Sequence, residues 1–253
     1  MPRYRARLAY VGTNFHGWQR QTNAPRTVQA VLERALARLA REPVRVEGAG
    51  RTDAGVHADG QVAHFDLPRS LAARTVRDAI NAELPSDARV LEVDLAPDGF
   101  HARYDARWKE YLYRWSRAEV IPPRDAPFVA PISPRADAAR MREAAAVFPG
   151  RRDFSVFAVR RFSAGGEPGV RTLELIRIEE AGVELRALFR GEGFLRGMVR
   201  SIAGVLADAA RGRVPVSRAA ELLHTGDRRM LSPKAPAKGL TLLRVGYGDG
   251  VRS

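Results

Sequence analysis

The segment Gly48-Ala49-Gly50-Arg51-Thr52-Asp53-Ala54-Gly55-Val56-His57-Ala58-Asp59-Gly60-Gln61 joins two runs that read as strands, Val44–Ala49 and Gln61–Leu67. Upstream, Thr27 precedes Val28, Val31, Leu32, Ala35, Leu36 and Leu39, whose spacing marks one face of a helix with Thr27 as its N-cap. Further upstream, Arg3, Arg5 and Arg7 alternate with Tyr4, Ala6 and Leu8, the period of a half-buried strand with arginines on one face. Downstream, Leu71, Val76 and Ile80 outline a second helix that stops before Pro85, and Arg89–Leu95 gives another strand. The order is β-α-β-β-α-β, the ferredoxin-like plan that RNA-recognition domains share.

The second half repeats this pattern. Lys109–Trp115 reads as a strand and Ala136–Phe148 as a helix ending at Gly150. Leu173–Glu179 and Val183–Arg190 read as a hairpin turning over Glu180, Ala181 and Gly182. Leu195, Met198, Val199, Ile202, Ala203 and Leu206 form a strong helical stripe. Pro215-Val216-Ser217 opens a short extra helix, and Thr241–Gly246 closes as a strand. The expected architecture is α+β, with two tandem halves at residues 1–101 and 102–253. Arg160–Gly169, with Gly165, Gly166 and Pro168, reads as a long mobile loop. The apolar faces of the second half's helices would permit dimerisation.

Composition narrows the function. The 253 residues carry 42 Lys and Arg against 29 Asp and Glu, a net charge of +13, which points to a polyanionic partner such as nucleic acid. Only Lys109, Lys234 and Lys238 are lysines, so part of the arginine abundance reflects genomic base composition. Base composition exchanges Lys for Arg without creating net charge. The chain has no cysteine, which excludes disulfides, thiolate catalysis and Cys-ligated metals. No apolar run reaches the roughly 18 residues of a membrane helix, so the chain reads as cytoplasmic, with no membrane partner.

Within the glycine-rich segment, Arg51, Asp53 and His57 place a cation, a carboxylate and an imidazole in seven residues. The plain alternative is a decorated inter-strand loop, where Asp and Gly serve turns. A dinucleotide loop fails, because an acidic residue would repel the pyrophosphate and a strand rather than a helix follows. A metal set of Asp53, His57 and Asp59 has no recognised ligand motif behind it. Ser155 and Ser163 lie in no G-x-S-x-G, which argues against a serine hydrolase. A single carboxylate in a glycine loop on a basic protein suits covalent or base catalysis at a glycosidic carbon.

The run Gly50-Arg51-Thr52-Asp53-Ala54-Gly55-Val56-His57 closely resembles the signature of TruA-type tRNA pseudouridine synthases. Four more segments agree in order: Tyr10–Gln21 with Thr27-Val28-Gln29, Phe100–Arg103 with Lys109–Tyr113, Phe194–Arg200, and Ala235–Leu240. Val11 stands where the family usually has an acidic residue. The resemblance implies the pseudouridine synthase fold, an extended, mostly antiparallel sheet with a central cleft. It implies an isomerase that needs no cofactor and converts uridine to pseudouridine at positions 38, 39 and 40 of the tRNA anticodon stem-loop, working as a homodimer.

The resemblance also implies residue roles. Asp53 is the catalytic aspartate, attacking C1′ or removing the 2′ proton. Tyr111 stacks on the flipped base, although Tyr111 and Tyr113 alternate on a strand and one of them would ordinarily be core. Arg200 is the basic partner of the aspartate; without the resemblance it would read as the solvent end of an amphipathic helix. Leu240 packs near the uracil, Arg51 fills vacated space or holds a phosphate, and His57 and Lys109 are supports or RNA contacts. Trp18 reads as core. The rival function is a non-catalytic RNA-binding protein or RNA chaperone on the same fold.

Overall fold

The computed structural model describes residues 1–24, 26–159 and 169–248, so the expected loop from Arg160 lies outside the described residues apart from Gly169. The chain divides into two compact units, Met1–Arg107 with Leu242–Ser253, and Trp108–Thr241. Its class is α+β, with mostly antiparallel strand pairing in each unit.

In the first unit, β1 (Arg3–Tyr10) follows its sequence period, with Tyr4, Ala6, Leu8 and Tyr10 buried and the arginines outward. It pairs antiparallel with β3 (His57–Asp66) on one side and β4 (Ala88–Leu95) on the other. The arginine face of β1 is neutralised within the chain. Arg3 reaches Asp66 at 2.8 Å, Arg5 reaches Asp94 at 3.0 Å and Arg7 reaches Glu92 at 3.2 Å. The first helix, α1 (Val28–Ala40), starts where expected, and Thr27 Oγ1 accepts the Ala30 N–H at 3.3 Å. It packs against α2 (Ala73–Glu83), which lies on β4.

The second and third strands differ in extent from the sequence reading. The second strand, β2 (Val46–Gly48), is shorter than Val44–Ala49, and β3 starts at His57 rather than Gln61. Gly60, which reads as turn punctuation, is a position of close approach inside the strand. A Cβ there would lie 2.4 Å from the carbonyl oxygen of Leu243 on the closing strand β10 (Leu240–Gly246).

In the second unit, β5 (Trp108–Ser116) pairs antiparallel with β9 (Glu184–Gly191), from Lys109 opposite Gly191 to Ser116 opposite Glu184. Beyond β9 lie β8 (Val170–Ala181) and the short β7 (Gly150–Asp153). The hairpin turns over Gly182 and Val183, because Ala181 and Glu184 still pair. Ala130–Pro131 forms β6, parallel to the end of β5.

The expected helix over 136–148 is shorter, as α3 (Ala138–Ala145), and α5 (Arg218–Thr225) follows Ser217 as read. The stripe beginning at Leu195 becomes α4 (Met198–Ala210), which packs on α3 and α5. Every residue of α4 except Arg200 is buried, so the chain itself already covers the apolar face read as a possible dimer surface.

Candidate active site

In the first unit, Asp53 lies on the turn between β2 and β3 and is half-buried, between exposed Arg51 and exposed Ala54. The residues around it are held by main-chain and side-chain bonds. Gln61 Nε2 donates to Gly50 O at 3.0 Å, and the Trp18 N–H donates to Thr52 O at 3.1 Å. Past the aspartate, Val56 N–H closes onto Asp53 O at 3.2 Å, and Gly55 N–H donates to Phe15 O at 3.3 Å. The loop after β1 crosses so closely that a Cβ on Gly17, whose φ is +89°, would meet Thr52 O at 2.7 Å. Trp18 is buried, as a core residue should be.

Two buried residues tie this loop to the end of β1. The Tyr10 hydroxyl and Thr52 Oγ1 are 2.9 Å apart, and burial pushes the tyrosine up to about 12. Nδ1 of His57 accepts the Gly12 N–H at 3.0 Å. His57 is 2% exposed. Its imidazole is needed as an acceptor, with the ring proton on Nε2 in the neutral form. Asp59 is exposed on β3, and among the described residues no three His, Asp or Glu side chains converge as a metal set.

In the second unit, β5 puts Lys109, Tyr111, Tyr113 and Trp115 on one face by its pleat. Both tyrosines are buried. Tyr113 is fully buried and donates its hydroxyl to Pro236 O at 2.7 Å, and burial raises its pKa against the opposing pull of the Arg200 charge. The Tyr111 ring is 7% exposed and meets Phe194 edge to face, with centroids 5.2 Å apart. Arg200 donates from Nε to Ala235 O at 2.9 Å, and the Ala235 N–H returns to Arg200 O at 3.0 Å. The turn Ala235-Pro236 is thereby stitched to both α4 and β5. Leu240 follows it, buried at the start of β10, and Lys109 is half-buried at the start of β5.

The sequence reading missed three residues of these constellations: Tyr10, Gln61 and Phe194. Tyr10 sits on the buried side of the β1 alternation, where a hydroxyl must find a partner, and that was the one available signal. Gln61 gave none beyond closing the glycine-rich segment, and Phe194 none beyond opening a segment of the resemblance.

Comparison with known proteins gives a family model described as tRNA pseudouridine synthase, matched over residues 6–105 and 144–248. A tRNA pseudouridine synthase A of Solidesulfovibrio magneticus is 43% identical over 256 residues, covering 98% of this chain and 92% of its own. Proteins of the same name from Rhodospirillum rubrum and Methylobacterium nodulans are each 41% identical. The first covers 98% of this chain and 88% of its own length, the second 100% and 99%.

Proposed function

The chain belongs to the tRNA pseudouridine synthase family, and from that premise we propose that it isomerises uridine to pseudouridine at positions 38, 39 and 40 of the tRNA anticodon stem-loop. The N1–C1′ bond breaks, the uracil turns, and C5 bonds to C1′. C5 loses a proton and N1 gains one, so the balance closes without an oxidant or reductant. A stacked uridine is out of reach of a side chain, so the nucleotide flips out at a cost of a few kcal/mol.

Asp53 acts on the ribose, by attack at C1′ or by removal of the 2′ proton; both begin from the ionised carboxylate. One observation carries this reading. Asp53 is the partly exposed carboxylate of a loop in which Thr52 is held by the buried Tyr10 and Trp18 and the Val56 N–H closes onto Asp53 O. Fixing a reactive group before the substrate arrives removes entropy from the barrier.

Around the reaction, the Tyr111 ring, braced by Phe194, offers its face to the flipped uracil. Leu240 supplies apolar contact to the uracil, and Arg200 takes the role of the basic group that accompanies the aspartate. Arg51 and Lys109 meet phosphate or fill the space that the flipped base leaves, and His57 supports the loop.

Neighbouring uridines in different sequence contexts require recognition of shape and phosphate rather than base edges, which suits the positive charge. The proposal includes a homodimer with tRNA lying across both chains, and a cytoplasmic location, where tRNA is matured. Stem-loop RNAs carrying a single uridine at 38, 39 or 40 test the substrate assignment. All three should be converted; conversion of none, or of one alone, contradicts it. Sedimentation with and without tRNA tests the dimer.

A further inference from the structure

Tyr10 ends β1 with its ring among Phe15 and Trp18, at centroid separations of 6.2 and 6.5 Å. Those contacts explain the ring but not the hydroxyl, since phenylalanine would fill the same space with no polar atom to satisfy. The buried hydroxyl meets Thr52 Oγ1 at 2.9 Å. The Trp18 N–H holds Thr52 O, and beside it Gln61 donates to Gly50 O. Residue 52 is therefore gripped at both side chain and main chain, and the next residue is Asp53. One buried hydroxyl, reached from a strand that carries no catalytic group, closes this network.

We propose that Tyr10 is a positioning residue for the isomerisation, its hydroxyl acting through Thr52 to set the direction in which the Asp53 carboxylate leaves the loop. This rests on Asp53 being the catalytic carboxylate. With the hydroxyl gone, Thr52 Oγ1 loses a buried partner and residues 52–53 gain alternative orientations. A misplacement near 1 Å costs on the order of a hundredfold in rate, so loss of one of several fixing bonds should cost about tenfold.

The test is Tyr10→Phe, which keeps the ring, with Thr52→Val and Thr52→Ser beside it. Tyr10→Phe and Thr52→Val should each lower kcat about tenfold with KM for the stem-loop and Tm near wild type. The double variant should be no worse than the poorer single, because both remove one interaction. Thr52→Ser, which keeps the oxygen, should hold most of the activity. Amide exchange at Gly55 and Val56 should speed up in Tyr10→Phe. Full kcat in Tyr10→Phe overturns the proposal, and so does a loss of kcat that Thr52→Ser shares equally with Thr52→Val. Exchange also separates the two readings. A wild type that makes no pseudouridine but shows the exchange difference contradicts the isomerase assignment, whereas unchanged exchange contradicts the Tyr10 clamp.

Discussion

The ring of Tyr111 stands edge-on to that of Phe194, with their planes at 83° and centroids 5.2 Å apart. Phe194 precedes α4, so the segment leading into that helix braces an aromatic ring on β5. If the face of Tyr111 stacks on the flipped uracil, Tyr111→Phe should keep substrate affinity. Tyr111→Ala should lose about 1–3 kcal/mol, the worth of one base–aromatic stack. Phe194→Ala should cost less, about 0.5–1.5 kcal/mol, because only the brace is removed. Stem-loop binding and single-turnover rates of the three variants decide this; equal losses of affinity in Tyr111→Phe and Tyr111→Ala would move the role from the ring to the hydroxyl.

The arginine ladder of β1 and Arg51 make opposite predictions about salt. Arg7 is engaged with Glu92, whereas Arg51 is exposed and, among the described residues, has no hydrogen bond or ion pair. Tightly held surface pairs contribute little to an external field. Arg51→Ala should therefore reduce the log–log salt slope of RNA binding by about 1, and Arg7→Ala should leave it unchanged. An equal reduction in both would show that the β1 face reaches RNA.

Much of this fold was legible from its residues, and the failures have physical causes. The helix after Thr27 could be read to its cap because one face is buried and the other is wet, so period and burial coincide. In α4 the stripe was visible but the boundary was not, since a helix buried all round has no polar face to phase it. The strand Gly150–Asp153 is exposed throughout, so its residues carry no alternation to read. His57, a support or RNA contact by resemblance, is a buried acceptor for the Gly12 N–H, a contact that spacing along the chain does not reveal. Asp53 stands out in the sequence as the carboxylate of a glycine loop, whereas Tyr111 and Arg200 are singled out only through resemblance, because spacing along the chain does not record which side chain is fixed by its neighbours.

Stability should fall on the acid side through His64. Burial first, then the charges of His101 and Arg3, hold its pKa below the ordinary 6.5, against a weaker opposing effect of Glu47 and Asp66. Its Nδ1 accepts the Ala102 N–H at 3.1 Å, which also favours the neutral ring. Below about pH 6.5 the unfolded chain binds a proton that the folded chain resists, so unfolding free energy should decline from there down to the lowered folded pKa. Denaturant titrations between about pH 7.5 and 5.5 should show this decline in the wild type and a flatter profile in His64→Gln. An identical decline in both would place the titrating group elsewhere.

The central claim is that Asp53 carries the chemistry while other groups carry the RNA. The most direct measurement is pseudouridine formation and binding by the wild type and Asp53→Ala on one unmodified anticodon stem-loop. The wild type should convert the stem-loop and Asp53→Ala should not, with RNA affinities within about twofold of each other, since one carboxylate contributes no phosphate contact. Conversion by Asp53→Ala at the wild-type rate, or no conversion by the wild type, would contradict it.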